Sequence, residues 1–190
     1  MGLDIHAYAG IRETDIALGY DDDGGRHPID READGLVWLS RDVADDWDRI
    51  HEGAFGTRPG YFDGLDDRHY MAFSATGWGY GSSYGAYGAF RRLLDDYVHI
   101  TEGVPEGAFR EMTRFSDSSG TIGPKVCAKL LADFRENEEG FCRWLDEGRV
   151  DDWSGLSGRD ILDCADALYR RYLAGLELAC SDGDGCLVYK

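Results

Sequence analysis

The sequence predicts an α+β fold: a small, mainly antiparallel sheet with helices packed chiefly on one face, in a single domain over residues 1–190. Three observations predict it. Leu3, Ile5 and Ala7 alternate with Asp4, His6 and Tyr8, and His69, Met71 and Phe73 alternate with Tyr70 and Ala72, the period of strands with one buried face. Val126, Leu130, Leu131 and Phe134 recur at helical spacing, as do Ile161, Leu162, Ala165, Leu168, Tyr172, Leu173 and Leu176. No repeat and no Pro-, Gly- or Ser-rich linker divides the chain.

The elements follow in chain order. After the first strand, residues 19–35 read as a turn-rich excursion around Asp21-Asp22-Asp23-Gly24-Gly25 and Pro28. Leu36 to Leu39 reads as a short strand. Ser40 stands at an N-cap position before a helix whose Val43, Trp47 and Ile50 share one face. Glycines and Pro59 break residues 53–64 into loop. A strand over Arg68–Ser74 runs into Gly77-Trp78-Gly79-Tyr80-Gly81-Ser82-Ser83-Tyr84-Gly85-Ala86-Tyr87-Gly88, read as a glycine-rich loop. The next helix starts near Ser83 and carries Tyr87, Phe90, Arg91, Leu94 and Val98. Residues 106–115 fit strand and helix equally. Ser116 to Gly120 is a turn, and Pro124 suits the first turn of the helix that follows. A separate short helix is expected over Phe141–Leu145, and the longest helix after Ser157. Cys186 to Tyr189 has strand character and is expected to join the N-terminal sheet.

Composition narrows the function classes. With 37 Asp and Glu against 20 Lys and Arg, the formal net charge is −17. Such a surface repels phosphate backbones, so neither direct nucleic-acid binding nor binding to an anionic membrane is expected. No apolar run approaches the roughly 20 residues that span a bilayer, and the start of the chain lacks the basic flank and apolar stretch of a secretory signal. Lys125, Lys129 and Lys190 are the only lysines, and Gln is absent. A GC-rich genome and adaptation to high salt both produce this bias. Cys127, Cys142, Cys164, Cys180 and Cys186 form no CxxC and no zinc pattern. The first three lie in helical patterns as small hydrophobes, which fits a reducing, cytoplasmic compartment.

Three segments carry a resemblance: Met1-Gly2-Leu3-Asp4-Ile5; Gly81 to Arg91, a glycine-serine-tyrosine stretch running into an aromatic-arginine helix; and Phe115 to Leu130, a phenylalanine-serine-aspartate loop followed by isoleucine-glycine-proline and an alanine-lysine-leucine helix. In order and spacing they resemble a family of uncharacterised proteins encoded by bacteriophages and prophages, over residues 1–135. The chain departs from that pattern at Ser118 and Ser119, where the family places a cysteine and an acidic residue, and at Gly88, where an asparagine is common. The resemblance implies a phage or prophage origin and no particular activity.

Four constellations are candidates for chemistry. Trp78, Tyr80 and Tyr84 offer flat faces for a base, Ser82 and Ser83 precede helical N–H groups that favour an anion, and Arg91 or Arg92 offers a phosphate partner. The spacing matches neither a P-loop nor a dinucleotide fingerprint. Asp117 and Ser118 form a second candidate, with helix capping by Asp117 or a serine as the structural alternative. Asp4 and His6 share one strand face, where a carboxylate and an imidazole suit proton transfer or metal ligation, with His69 as a third member. Asp182-Gly-Asp184-Gly and Asp21-Asp22-Asp23-Gly lack the spacing of an EF-hand and read as solvated turns. No metal or cofactor is expected.

Lacking a recognisable catalytic set, the chain is expected to be a phage accessory protein of the host cytoplasm that binds and inhibits or sequesters a host protein. An anti-defence inhibitor of the anti-CRISPR kind, which mimics nucleic acid on a basic nucleic-acid-binding surface, fits the charge. The alternative is a binder or hydrolase of small nucleotides built on the Gly/Tyr and Asp117 segments.

Overall fold

The computed structural model describes residues 3–13, 18–20, 26–28, 37–40, 69–74, 79–115, 120–147, 158–181, 183 and 185–189, and the fold is α+β. The strands are β1 (Leu3–Glu13), β2 (Leu18–Tyr20), β3 (Arg26–Pro28), β4 (Val37–Ser40), β5 (His69–Ser74), β6 (Gly79–Ser82), β7 (Gly120–Ile122) and β8 (Cys186–Tyr189). The helices are α1 (Tyr84–Ile100), α2 (Arg110–Arg114), α3 (Pro124–Asp146) and α4 (Gly158–Ala179).

β1 organises the sheet, whose order is β4-β5-β1-β8-β7 with β6 also on β1; the pairs are antiparallel. Residues 3–6 of β1 pair with β6, residues 5–8 with β8, and β5 takes over from Ala9 to Glu13. Gly10, at φ +61°, sits where this handover occurs, in a conformation that glycine adopts without the Cβ penalty. The excursion after β1 contains a small hairpin, Leu18 opposite Pro28 and Tyr20 opposite Arg26, closed by the five residues Asp21–Gly25. Ser40 closes β4, and the helix expected over Asp42–Ile50 lies outside the described residues.

Alternation on β1 sets most of its packing. Leu3, Ile5, Ala7 and Ala9 are buried on one face, while on the other Asp4 is exposed, His6 half-buried and Tyr8 buried. α4 lies against β1 and β8 and also packs on α1 and α3. Its Ala165, Leu168, Tyr169, Tyr172 and Leu176 are buried, and α3 contributes Cys127, Leu130, Leu131, Phe134, Phe141, Trp144 and Leu145. Much of the core is aromatic. Phe90 stacks on Tyr172 at 5.6 Å and Phe141 on Tyr169 at 4.9 Å, and Phe109 meets Phe134 edge-on at 5.0 Å. Such pairs add about 0.5–1.5 kcal/mol each beyond the area they bury. Tyr87 and Tyr189 donate to the Met112 sulfur at 3.6 and 3.8 Å. The Tyr172 hydroxyl lies close enough to both for electrostatic interaction but makes no hydrogen bond of proper geometry.

Three expectations need correcting. The stretch Gly79–Ser82, read as loop, is strand β6, because pairing with β1 supplies what its own glycines cannot. The expected short helix at Phe141–Leu145 is the end of α3, whose 23 residues make it longer than the 22 of α4. Gly140 does not break it: an added Cβ there would meet the Tyr97 hydroxyl, so glycine admits that ring. The N-cap of α3 is Gly123, behind β7, and Asp117 and the serines expected to cap that helix lie outside the described residues. His69 is not brought to His6. β5 runs antiparallel to β1 with Tyr70 opposite Glu13, placing His69 beyond that end, roughly 26 Å along the strand from His6.

Candidate functional site

Two of the sequence candidates meet on one face of the sheet. Because cross-strand partners point to the same side, Gly81 and Gly79 on β6 stand beside Asp4 and His6 on β1. A Cβ at Gly81 would come within 3.2 Å of the Asp4 carboxylate, so glycine leaves room for it. Along β1, His6 stacks on Tyr8 with ring centroids 6.2 Å apart. Burial and then Cys186 raise the Tyr8 phenol above its ordinary range. The result is an Asp–His–Tyr strip beside bare backbone. Among the described residues no cluster of His, Cys, Asp and Glu is arranged to hold a metal ion.

The remaining candidates separate. Tyr80 and Ser82 occupy register positions opposite Ile5 and Leu3. Ser83 is the N-cap of α1, its hydroxyl accepting from Ala86 N at 3.1 Å, and so serves the helix that was expected to start there. Tyr84 is half-buried against the core. Arg91 lies seven residues on, about 10 Å along the axis. Its guanidinium donates from Nε and Nη2 to the Thr113 carbonyl at 3.1 and 2.7 Å and lies 5.4 Å from the Tyr87 ring centre. Arg91 therefore fastens α2 to α1. Trp78, Asp117 and Ser118 lie outside the described residues, as do Asp21–Asp23, Asp182 and Asp184. The cysteines are free thiols; Cys127 and Cys186 are buried, and Cys142, Cys164 and Cys180 partly so.

Sequence reasoning missed a second concave region. A cavity of about 220 Å³ opens between the end of α1 and the segment 106–114, lined by Asp95, Val98, His99, Glu106, Arg110 and Arg114 among others. His99 Nδ1 donates to the Asp95 carbonyl at 2.7 Å. That bond, then the Asp95 carboxylate, raises the imidazole above its ordinary range, with smaller contributions from Glu106 and Asp96. The wall is held from behind. Phe109 adopts φ +55° and is fully buried, while its N–H donates to Asp133 at 2.9 Å. Lys129 donates to the Gly107 carbonyl at 2.7 Å and pairs with Glu111 and Asp133. No sequence signal marks this region, because 106–115 has no clear period and its partners lie on another helix.

Among the described residues no helix is long and apolar enough to cross a membrane. Set against known proteins, the chain matches no family model, no curated sequence and no solved structure.

Proposed function

We propose that the chain is a phage- or prophage-encoded accessory protein that acts in the host cytoplasm by binding, and so inhibiting or sequestering, a host protein. The partner presents a basic surface of the kind that holds nucleic acid, such as the channel of a defence nuclease, and the acidic chain occupies it in place of phosphates. The uneven placing of charge carries this reading. Residues 15–67 contain 15 Asp and Glu against five Arg, a net of −10 out of −17. The residues with described side chains hold 14 acids against ten bases. A compositional bias alone would spread through the helices as well, and a domain needs a charge magnitude of only about 2–8 for solubility. Helices set chiefly against one face of the sheet would leave the Asp4–His6 side available to the partner.

Complementary charge mainly accelerates encounter and is screened by salt. Capture of a basic nucleic-acid-binding protein from host lysate is expected at about 0.05 M salt and its loss at about 0.5 M, where the Debye length is several-fold shorter. Neutralising Asp45/Asp46 or Asp66/Asp67 to Asn should slow association more than neutralising Asp151/Asp152. Absence of a salt-sensitive basic partner, or equal association rates for all three variants, overturns the reading.

A nucleotide-type binder or hydrolase built on the Gly/Tyr and Asp117 segments is the second reading, favoured by the bare backbone of Gly79 and Gly81 beside His6 and Asp4. Calorimetry with mono-, di- and cyclic nucleotides decides it. Binding must appear in the wild type and fall when Asp4→Asn and His6→Ala are combined.

A further inference from the structure

The cavity between α1 and the 106–114 segment presents charges of both signs in a small space. Asp95 and His99 come from one turn of α1, Glu106 from the connecting turn, and Arg110 and Arg114 from one turn of α2, with Val98 and Ala108 as the apolar part of the lining. At about 220 Å³ it is smaller than the roughly 300–1,000 Å³ of sites that take drug-sized ligands. Its volume suits a small organic ion.

The wall is also unusually fixed for a connecting segment. A left-handed, non-glycine Phe109 is strained and persists only where its surroundings over-determine it, a pattern that concentrates at ligand sites. Here the surroundings are the Asp133 carboxylate, Lys129 on the Gly107 carbonyl, Arg91 on the Thr113 carbonyl, and the rings of Phe134 and Tyr169. These bonds take up backbone groups from the core side and leave the charged side chains of Glu106, Arg110 and Arg114 on the exposed side. Pre-organisation of this kind removes the ordering cost that a loop site otherwise bears on binding.

We infer that this cavity binds a small zwitterion of the free α-amino-acid type, its carboxylate received by Arg110 and Arg114 and its ammonium by Asp95 and Glu106. A plain anion would face those two carboxylates, and a plain cation the two guanidiniums, so each lacks half of the complement. The site lies outside residues 15–67 and stands or falls independently of the acidic-partner reading.

The test is calorimetry and amide NMR titration of the 190-residue chain with a set of free amino acids, beside acetate, a simple alkylamine and inorganic phosphate. At least one amino acid should bind with a Kd on the order of 1 mM or tighter, shifting amides within 95–99 and 106–114. Acetate and the amine should bind at least about tenfold more weakly. Combined Arg110→Ala and Arg114→Ala, and separately Glu106→Gln, should each weaken binding at least about tenfold with the circular dichroism spectrum unchanged. Should the double variant lose its fold, the Glu106→Gln comparison decides alone. The inference is overturned if no amino acid shifts these amides at about 10 mM, if acetate or phosphate binds as tightly as the amino acids, or if the folded variants bind like the wild type.

Discussion

Two thiols and three phenols are held neutral in the core: Cys127, Cys186, Tyr169, Tyr172 and Tyr189, none more than 1% exposed. Burial is the main cause that raises all five, and Tyr87 adds to it at Tyr172 and Tyr189. Tyr169 is further committed to its neutral form by donating to the Phe134 carbonyl at 2.6 Å. A group raised in the folded state contributes stability that is present below its unfolded pKa and is lost as pH rises toward its folded value. The unfolded thiols release protons near pH 9 and the phenols near pH 10. Above those points each group withdraws about 1.4 kcal/mol per pH unit. Two thiols therefore remove about 3 kcal/mol in total by pH 10, and all five groups approach about 7 kcal/mol per unit above it. Against a typical stability of about 5–15 kcal/mol, the fold should collapse cooperatively between about pH 10 and 12. Tyrosinate absorbance and far-ultraviolet circular dichroism, followed in parallel on one titration, check this. Absorbance should rise gradually for exposed tyrosines and then steeply as the dichroism is lost. A single ordinary titration of all 11 tyrosines near pH 10, with the dichroism intact beyond pH 12, would refute the argument.

Leu168→Ala should cost about 2–5 kcal/mol in denaturant unfolding, since the side chain is 1% exposed in the core around α4. A loss below about 0.5 kcal/mol would mean that another face of α4 is buried. Gly140→Ala gains about 1 kcal/mol of helix propensity but drives a methyl into the Tyr97 hydroxyl, which costs about 1–3 kcal/mol. The single variant should therefore be neutral or destabilised, and Tyr97→Phe combined with it should recover the gain. Stabilisation by Gly140→Ala alone would contradict that close approach.

The elements legible in the sequence were those whose own residues carry the pattern. β1 alternates cleanly, α1 begins at the serine that caps it, α3 opens on Pro124, and β8 is a short apolar run between glycines and the last residue of the sequence. β6 and β7 were missed because both are short: the alternating glycines of Gly-Tyr-Gly-Ser disfavour a strand, Gly-Thr-Ile offers only three residues despite its β-branched pair, and both pair with edges that β1 and β8 provide. The short helix expected over Phe141–Leu145 is continuous with α3, and the Gly140 that precedes it accommodates Tyr97 from α1. The Asp4–His6 pairing was readable as a shared face, but Gly79 and Gly81 beside it depended on register. The mixed-charge cavity was not readable at all, because Asp95 and Arg114 meet only through the left-handed turn at Phe109.

Ile5 pairs with Tyr189 and Tyr8 with Cys186, so the central strand of the sheet is bounded on one side by residues nearly the whole described chain away. The consequence is kinetic. Closing so long a loop requires chain entropy to be given up before any strand contact rewards it, and high contact order slows folding. The α3–α4 pair, with its Phe134, Phe141 and Tyr169 contacts, joins neighbouring segments and can form early. During synthesis, one edge of β1 must wait for residues 186–189 to leave the ribosome. Until then its alternating apolar face and unpaired amides remain open to other strands, and β8 acts as the seal that removes an aggregation-prone edge last.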